Sequence, residues 1–140
     1  MKRLWILCTV ALSSFFIVIA CNINFQRKVN QREALLSMKT LRDAEAAYKV
    51  TKGAGRYGNL KELGAAGLID SSLASGSKEG YRFEVRVRGD SFEAIAIPIK
   101  YLDTGIMSFY LDHTGVIRYR DKEGGEANVN DSPVDNESFP

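Results

Sequence analysis

Residues 4–20 contain no charged side chain, and Lys2 and Arg3 precede them. This run limits what the chain can become more than any other feature of it. Crossing about 30 Å of hydrocarbon takes roughly 20 helical residues, and a run of roughly 17 is near the lower bound. The same order of residues, a basic start, an apolar middle and a small-residue end, also describes a secretory signal. The basic pair favours a cytoplasmic start, although Arg27 and Lys28 beyond the run reduce the asymmetry. Both readings place the rest of the chain outside the cytoplasm.

A third reading comes from Val18-Ile19-Ala20-Cys21, which resembles the bacterial lipobox. In proteins of that kind the signal is cut before the Cys, which then carries diacylglycerol and usually a further acyl chain. Two or more chains make a stable anchor, whereas one is marginal. The resemblance implies Cys21 as a lipidation site and membrane lipid as a partner. A plain transmembrane helix with incidental cysteines is the alternative.

The remaining charge is balanced. Residues 1–21 hold two of the 19 basic residues and none of the 17 acidic ones, so the rest stands at 17 against 17. A nucleic-acid partner needs a basic patch on the folded part to neutralise phosphate, and none is expected here. Cys8 and Cys21 both fall in or at the edge of the apolar run. The folded part therefore has no disulfide and no thiolate metal site.

From Gln31 a helical pattern begins. Ala34, Met38, Leu41, Ala44 or Glu45, and Tyr48 recur at spacings of three and four, an amphipathic stripe. Gly53 and Gly55 stop it. Asn59 is placed to cap a short helix carrying Leu60 and Leu63. Tyr81, Phe83, Val85 and Val87 then alternate with Arg82, Glu84, Arg86 and Arg88, which predicts a strand with one wet face. Gly89-Asp90 suits a type II′ turn into a second strand ending near Pro98. That strand is apolar on both faces, so it is deeply buried or covered by a loop. Residues 108–112 and 116–120 predict a second hairpin.

The expected fold class is α+β, a long N-terminal helix packed on a small four-stranded antiparallel sheet. The chain divides into a signal or anchor over 1–20, a stalk and amphipathic helix over 21–52, an α+β domain over 53–122 and a flexible tail over 123–140.

The stretches LRDAEAAYKVTKGAGRYGNLKELGAAGLID (41–70), GYRFEV (80–85) and SFYLDHTGVIRYRD (108–121) are similar to the globular domain of type IV pilin-like proteins, including the major pseudopilins of type II secretion systems. The resemblance implies the pilin-like version of this fold. It also implies a non-enzymatic envelope protein, structural or accessory to a secretion or pilus machine, with other pilin-like subunits or secretion-system proteins as partners. The N-terminus departs from the family. A prepilin has a Gly before a Phe-Thr-Leu-Ile-Glu-like start, and the apolar run here has neither Gly nor Glu. Processing by the prepilin peptidase and assembly into an ordinary pilus are therefore not expected. The alternative function is a periplasmic or surface lipoprotein acting as a binding module.

Candidate chemistry is sparse, and no catalytic residue, cofactor or metal is expected. His113, the one histidine, reads as a turn residue in Asp112-His113-Thr114-Gly115. Asp70, Asp103, Asp112 and Asp121, or Asp121, Glu123, Glu126 and Asp131, are oxygen donors without the spacing of a known calcium loop. Arg82, Arg86 and Arg88 form a row that would face an acidic partner, or simply solvent at a guarded sheet edge.

Overall fold

The computed structural model describes the backbone of residues 2–135 and the side chains of residues 22–135. Its first element is α1, Lys2–Thr51, 50 residues of uninterrupted helix. The expected helix from Gln31 is therefore the C-terminal part of a rod about 75 Å long. Neither Gly nor Pro interrupts residues 2–51, so nothing in the sequence kinks it. Among the described residues no helix is long and apolar enough to cross a membrane. The side chains of residues 4–20 and of Cys21, on which the anchor and lipid expectations fall, lie outside the described residues.

The stripe along α1 buries as its spacing requires. Ala34, Leu35, Met38, Leu41, Ala44 and Glu45 are buried, while Arg32, Leu36, Thr40 and Asp43 are exposed. Fully burying a side chain such as Met38 or Leu41 contributes about 1.5–3 kcal/mol. α1 ends where the Gly53 amide donates to the Tyr48 carbonyl at 2.7 Å and the Gly55 amide to the Lys49 carbonyl at 2.9 Å. A Cβ on Gly53 would lie 2.1 Å from the Arg56 carbonyl, and one on Gly58 would lie 2.9 Å from the Tyr48 ring. These two glycines let the chain fold back against Tyr48.

Two short helices follow, α2 (Leu60–Ala65) and α3 (Ser71–Ala74). Asn59 caps α2 in a capping box with Glu62, as the sequence signals. Asp70 caps α3 through the Leu73 amide.

The sheet is an antiparallel meander of six strands in sequence order. They are β1 (Ser77–Lys78), β2 (Tyr81–Arg88), β3 (Ser91–Pro98), β4 (Met107–Asp112), β5 (Ile117–Asp121) and β6 (Ser132–Pro133). The expected four strands are β2 to β5. The added β1 and β6 are two residues each, too short to carry an alternation that could be read locally. Arg88 pairs with Ser91, so Gly89-Asp90 is the two-residue turn. Gly89 holds φ 57° while Asp90 has no positive φ, as a type II′ turn needs.

The main core lies between α1 and one face of the sheet, with Phe83, Phe92, Ala94, Ala96, Phe109 and Leu111 from the strands. Ala94 and Ala96 in β3 let the helix come close. The opposite face carries a second buried cluster of Ile95, Ile97, Tyr110 and Ala127. This is why β3 reads as apolar on both sides. Its second cover comes from residues 123–131, part of the tail expected to be flexible. They instead cross the outer face as a strap: Ala127 and Asp131 are buried, and the chain returns to pair with β5 as β6. The strap's polarity hides this role, because ion pairs from Arg86, Arg120 and Lys122 hold it down beside the buried Ala127.

Candidate functional site

The described residues offer one well-built feature, the junction where α1 meets the β3–β4 loop. The Gln31 carboxamide oxygen accepts the Ile106 amide at 2.8 Å and the Met107 amide at 3.3 Å. One residue earlier, Asn30 Nδ2 donates to the Thr104 carbonyl at 3.0 Å, and its Oδ1 accepts from Gln26. Earlier again, Arg27 donates to the Leu102 carbonyl at 2.7 Å and also to Asn24. Asn30 and Gln31 are buried, so their amides would be costly without these partners. Tyr81 completes the junction from below. Its hydroxyl donates to the Met107 carbonyl at 2.9 Å, and Gly105 leaves room for it, since a Cβ there would lie 2.1 Å from that oxygen. Helix, loop and sheet are thereby tied together at this end of the domain.

At the other end of the packed stripe stands Glu45, wholly buried. Its position follows Leu41 and precedes Tyr48 on the core side, so a carboxyl is carried where a Leu would normally sit. Oε2 accepts the Gly58 amide at 3.0 Å. Oε1 is buried without a hydrogen-bond partner among the described residues. Burial pushes the carboxyl up to about 7; the Gly58 bond works against this and the nearby Glu62 charge adds to it.

The arginine row lies on the outer face of β2, but its members do not act together. Arg86 bonds Glu84 and forks onto Glu126 of the strap at 2.7 and 3.0 Å. Those hydrogen bonds, Glu126's first, raise the guanidinium further and hold both carboxylates below their usual range. Arg86 is thus a fastener of the strap rather than a free contact. Arg82 and Arg88 are exposed beside it.

The acidic residues are dispersed. Asp131 receives Arg120 at 3.0 Å and Lys122 at 2.9 Å on one oxygen and the Asn128 amide on the other. Burial works to raise its carboxyl, but the Lys122 bond, the Asn128 amide and the two cationic charges together hold it low. Glu126 binds Arg86, Asp121 receives Tyr101 and the Glu123 amide, Asp70 pairs with Lys78 at 2.6 Å, and Asp103 faces Lys100 at 3.9 Å. Asp112 closes the β4–β5 turn through the Thr114 amide. Among the described residues no three metal-binding side chains gather.

His113 is exposed on that turn. It rims a cleft of about 320 Å³ with Arg42, Lys49, Tyr57 and Phe92. Tyr57 packs on Phe92 with ring centroids 4.7 Å apart, and Lys49 Nζ stands 4.4 Å from the Tyr57 centroid.

Comparison with protein-family models, with curated proteins and with solved structures finds no match to this chain. The long N-terminal helix packed against an antiparallel sheet is itself consistent with a pilin-like fold. Sequence reasoning missed Asn30, Gln31 and the pairing of Asp131. Glu45 did leave a signal, a charge at a core-side position of the stripe. The junction amides left none, because their partners lie about 75 positions away.

Proposed function

We propose that this chain is a membrane-anchored, non-enzymatic, pilin-like envelope protein, a structural or accessory component of a type II secretion or type IV pilus-like system. The observation that carries the reading is α1 itself. One unbroken helix bears the apolar run at its start and the packed stripe at its end. The junction at Asn30 and Gln31 fixes the domain to that helix rigidly, as a component that transmits position from a membrane to its neighbours requires. Residues just before the junction are left bare: Ile23 and Phe25 are 43% and 69% exposed. The apolar run carries neither the Gly nor the Glu of a prepilin start, which favours an accessory role over that of a bulk filament subunit.

The test is photo-cross-linking in cells from a benzophenone amino acid at Phe25. Adducts to a second copy or to another membrane-anchored helical protein are the expected result. A chain that yields only intramolecular or lipid adducts would remove the assembly role. A second reading, a lipoprotein binding module, is favoured by the lipobox-like residues 18–21 and by the cleft beside His113. Protein adducts from His113 together with none from Phe25 would select it.

A further inference from the structure

We infer that the tip of the β3–β4 loop, centred on Leu102, rests in the headgroup layer of the membrane that anchors the chain. The inference rests on the anchoring proposed above and adds a second, apolar point of membrane contact.

The β3–β4 loop meets α1 in a fixed order. Met107 and Ile106 meet Gln31, Thr104 meets Asn30, and Leu102 meets Arg27. The loop therefore descends α1 toward its N-terminus, and Leu102 is its lowest contact. The Arg27 guanidinium that holds Leu102 also bonds Asn24, so it leans back a turn, as helical side chains do. Asn24 lies four residues past Ala20, the last of the apolar run, which is about 6 Å along the axis. The headgroup layer on each side of the hydrocarbon is about 5–7 Å thick. With a retained helix, Leu102 falls at that depth. With a lipidated Cys21, Asn24 is three residues from the acylated position, and the depth is the same within about 2 Å.

The chemistry of the tip suits that place. Leu102 is 54% exposed and Ile99 is 55% exposed, and Ile23, one turn below Arg27 on the same side of α1, is exposed too. Leu102 holds φ 66°, a left-handed conformation that branched side chains rarely adopt. Its amide bonds the Gly105 carbonyl at 2.9 Å, and Arg27 holds its own carbonyl, so both backbone groups of the strained residue are tied down. A polar loop would place Gly or Asn there. A Leu held out toward solvent instead gains from apolar contact outside the chain. The loop itself carries no net charge, since Lys100 and Asp103 pair across the tip and cancel; the cations nearby, Arg27 and Lys28, belong to α1. The surface thus fits the boundary between headgroups and acyl chains, whatever the headgroup charge.

The experiment uses the full chain bound to phosphatidylcholine vesicles. Trp5, the one tryptophan, is changed to Phe, and a reporter is placed by Leu102→Trp, by Ile99→Trp, or by Val50→Trp. Val50 is 80% exposed and lies roughly 40 Å farther up the helix. Blue-shifted emission, quenched by lipid brominated near the top of its acyl chains, is expected at positions 102 and 99 and not at 50. The quenching should persist at high salt. Vesicle-bound protein whose reporters at 102 and 99 emit like the one at 50, or are quenched only at low salt, overturns the inference and leaves the anchor standing. Protein that fails to float with vesicles removes the anchor, and the inference with it.

Discussion

The substitution Glu45→Gln should remove most of the pH dependence that this side chain gives to stability. The carboxyl rises from 4.5 to about 7 on folding because burial disfavours its charged form. A group whose folded value is raised binds more protons in the native state, so stability falls as pH climbs between the two values. Its contribution is complete below pH 4.5, is lost progressively up to about 7, and is level above that. At about 1.36 kcal/mol per pH unit, the rise comes to about 3 kcal/mol. Gln keeps the acceptor for the Gly58 amide and cannot ionise. The assay is unfolding of the full chain in detergent, followed by near-ultraviolet circular dichroism at several pH values, for both proteins. The stability of the Gln variant relative to wild type should improve by about 3 kcal/mol between pH 4.5 and 7, then stay constant. Taking the difference cancels the other carboxylates, such as Asp131 and Glu126, whose contributions vanish at low pH. A difference that does not change across that window would refute the reasoning, because Glu45 would then be hydrated or paired in the native state.

Gly53→Ala sets a Cβ 2.1 Å from the Arg56 carbonyl. It should cost about 2 kcal/mol through displaced backbone, read as a lowered Tm, whereas Gly55→Ala, with open space around it, should be limited by its φ of 88°. Asp131→Asn removes the anion that Arg120 and Lys122 share. Amide exchange at Ala127 and Asn128 should quicken at neutral pH, and acidifying wild type through the lowered carboxylate value should produce the same change. Gln31→Leu leaves the Ile106 and Met107 amides without their acceptor, at about 1–3 kcal/mol. Faster exchange at those two amides, with Leu63 in the same core unaffected, would mark the loss as local.

Much of the frame was legible because its cause is local. The stripe from Ala34 to Tyr48 shows a period that only a helix satisfies, and the alternation from Tyr81 to Arg88 shows one that only a strand satisfies. Asn59 with Glu62, and Gly89 with Asp90, are short-range devices whose geometry is fixed within a few residues. What stayed hidden depends on distant partners. Arg27, Asn30 and Gln31 look like a solvated stalk until the β3–β4 loop arrives to meet them. Segment 123–131 looks like a loose tail because Arg86, Arg120 and Lys122 fasten it through ion pairs, which have no period. The arginine row left an acidic partner and plain solvent both open for the same reason: the strand pattern reveals which face Arg86 is on, not that Glu126 lies above it.

The central claim is that the N-terminal part of α1 holds this domain to a membrane. Intact mass of the protein extracted from membranes, for wild type and Cys21→Ser, tests it most directly. The account predicts membrane-bound protein of one of two masses. One is a chain beginning at Cys21 with added lipid, which the substitution abolishes; the other is a full-length, unlipidated chain in both. A soluble chain that lacks the apolar run and carries no lipid would contradict it.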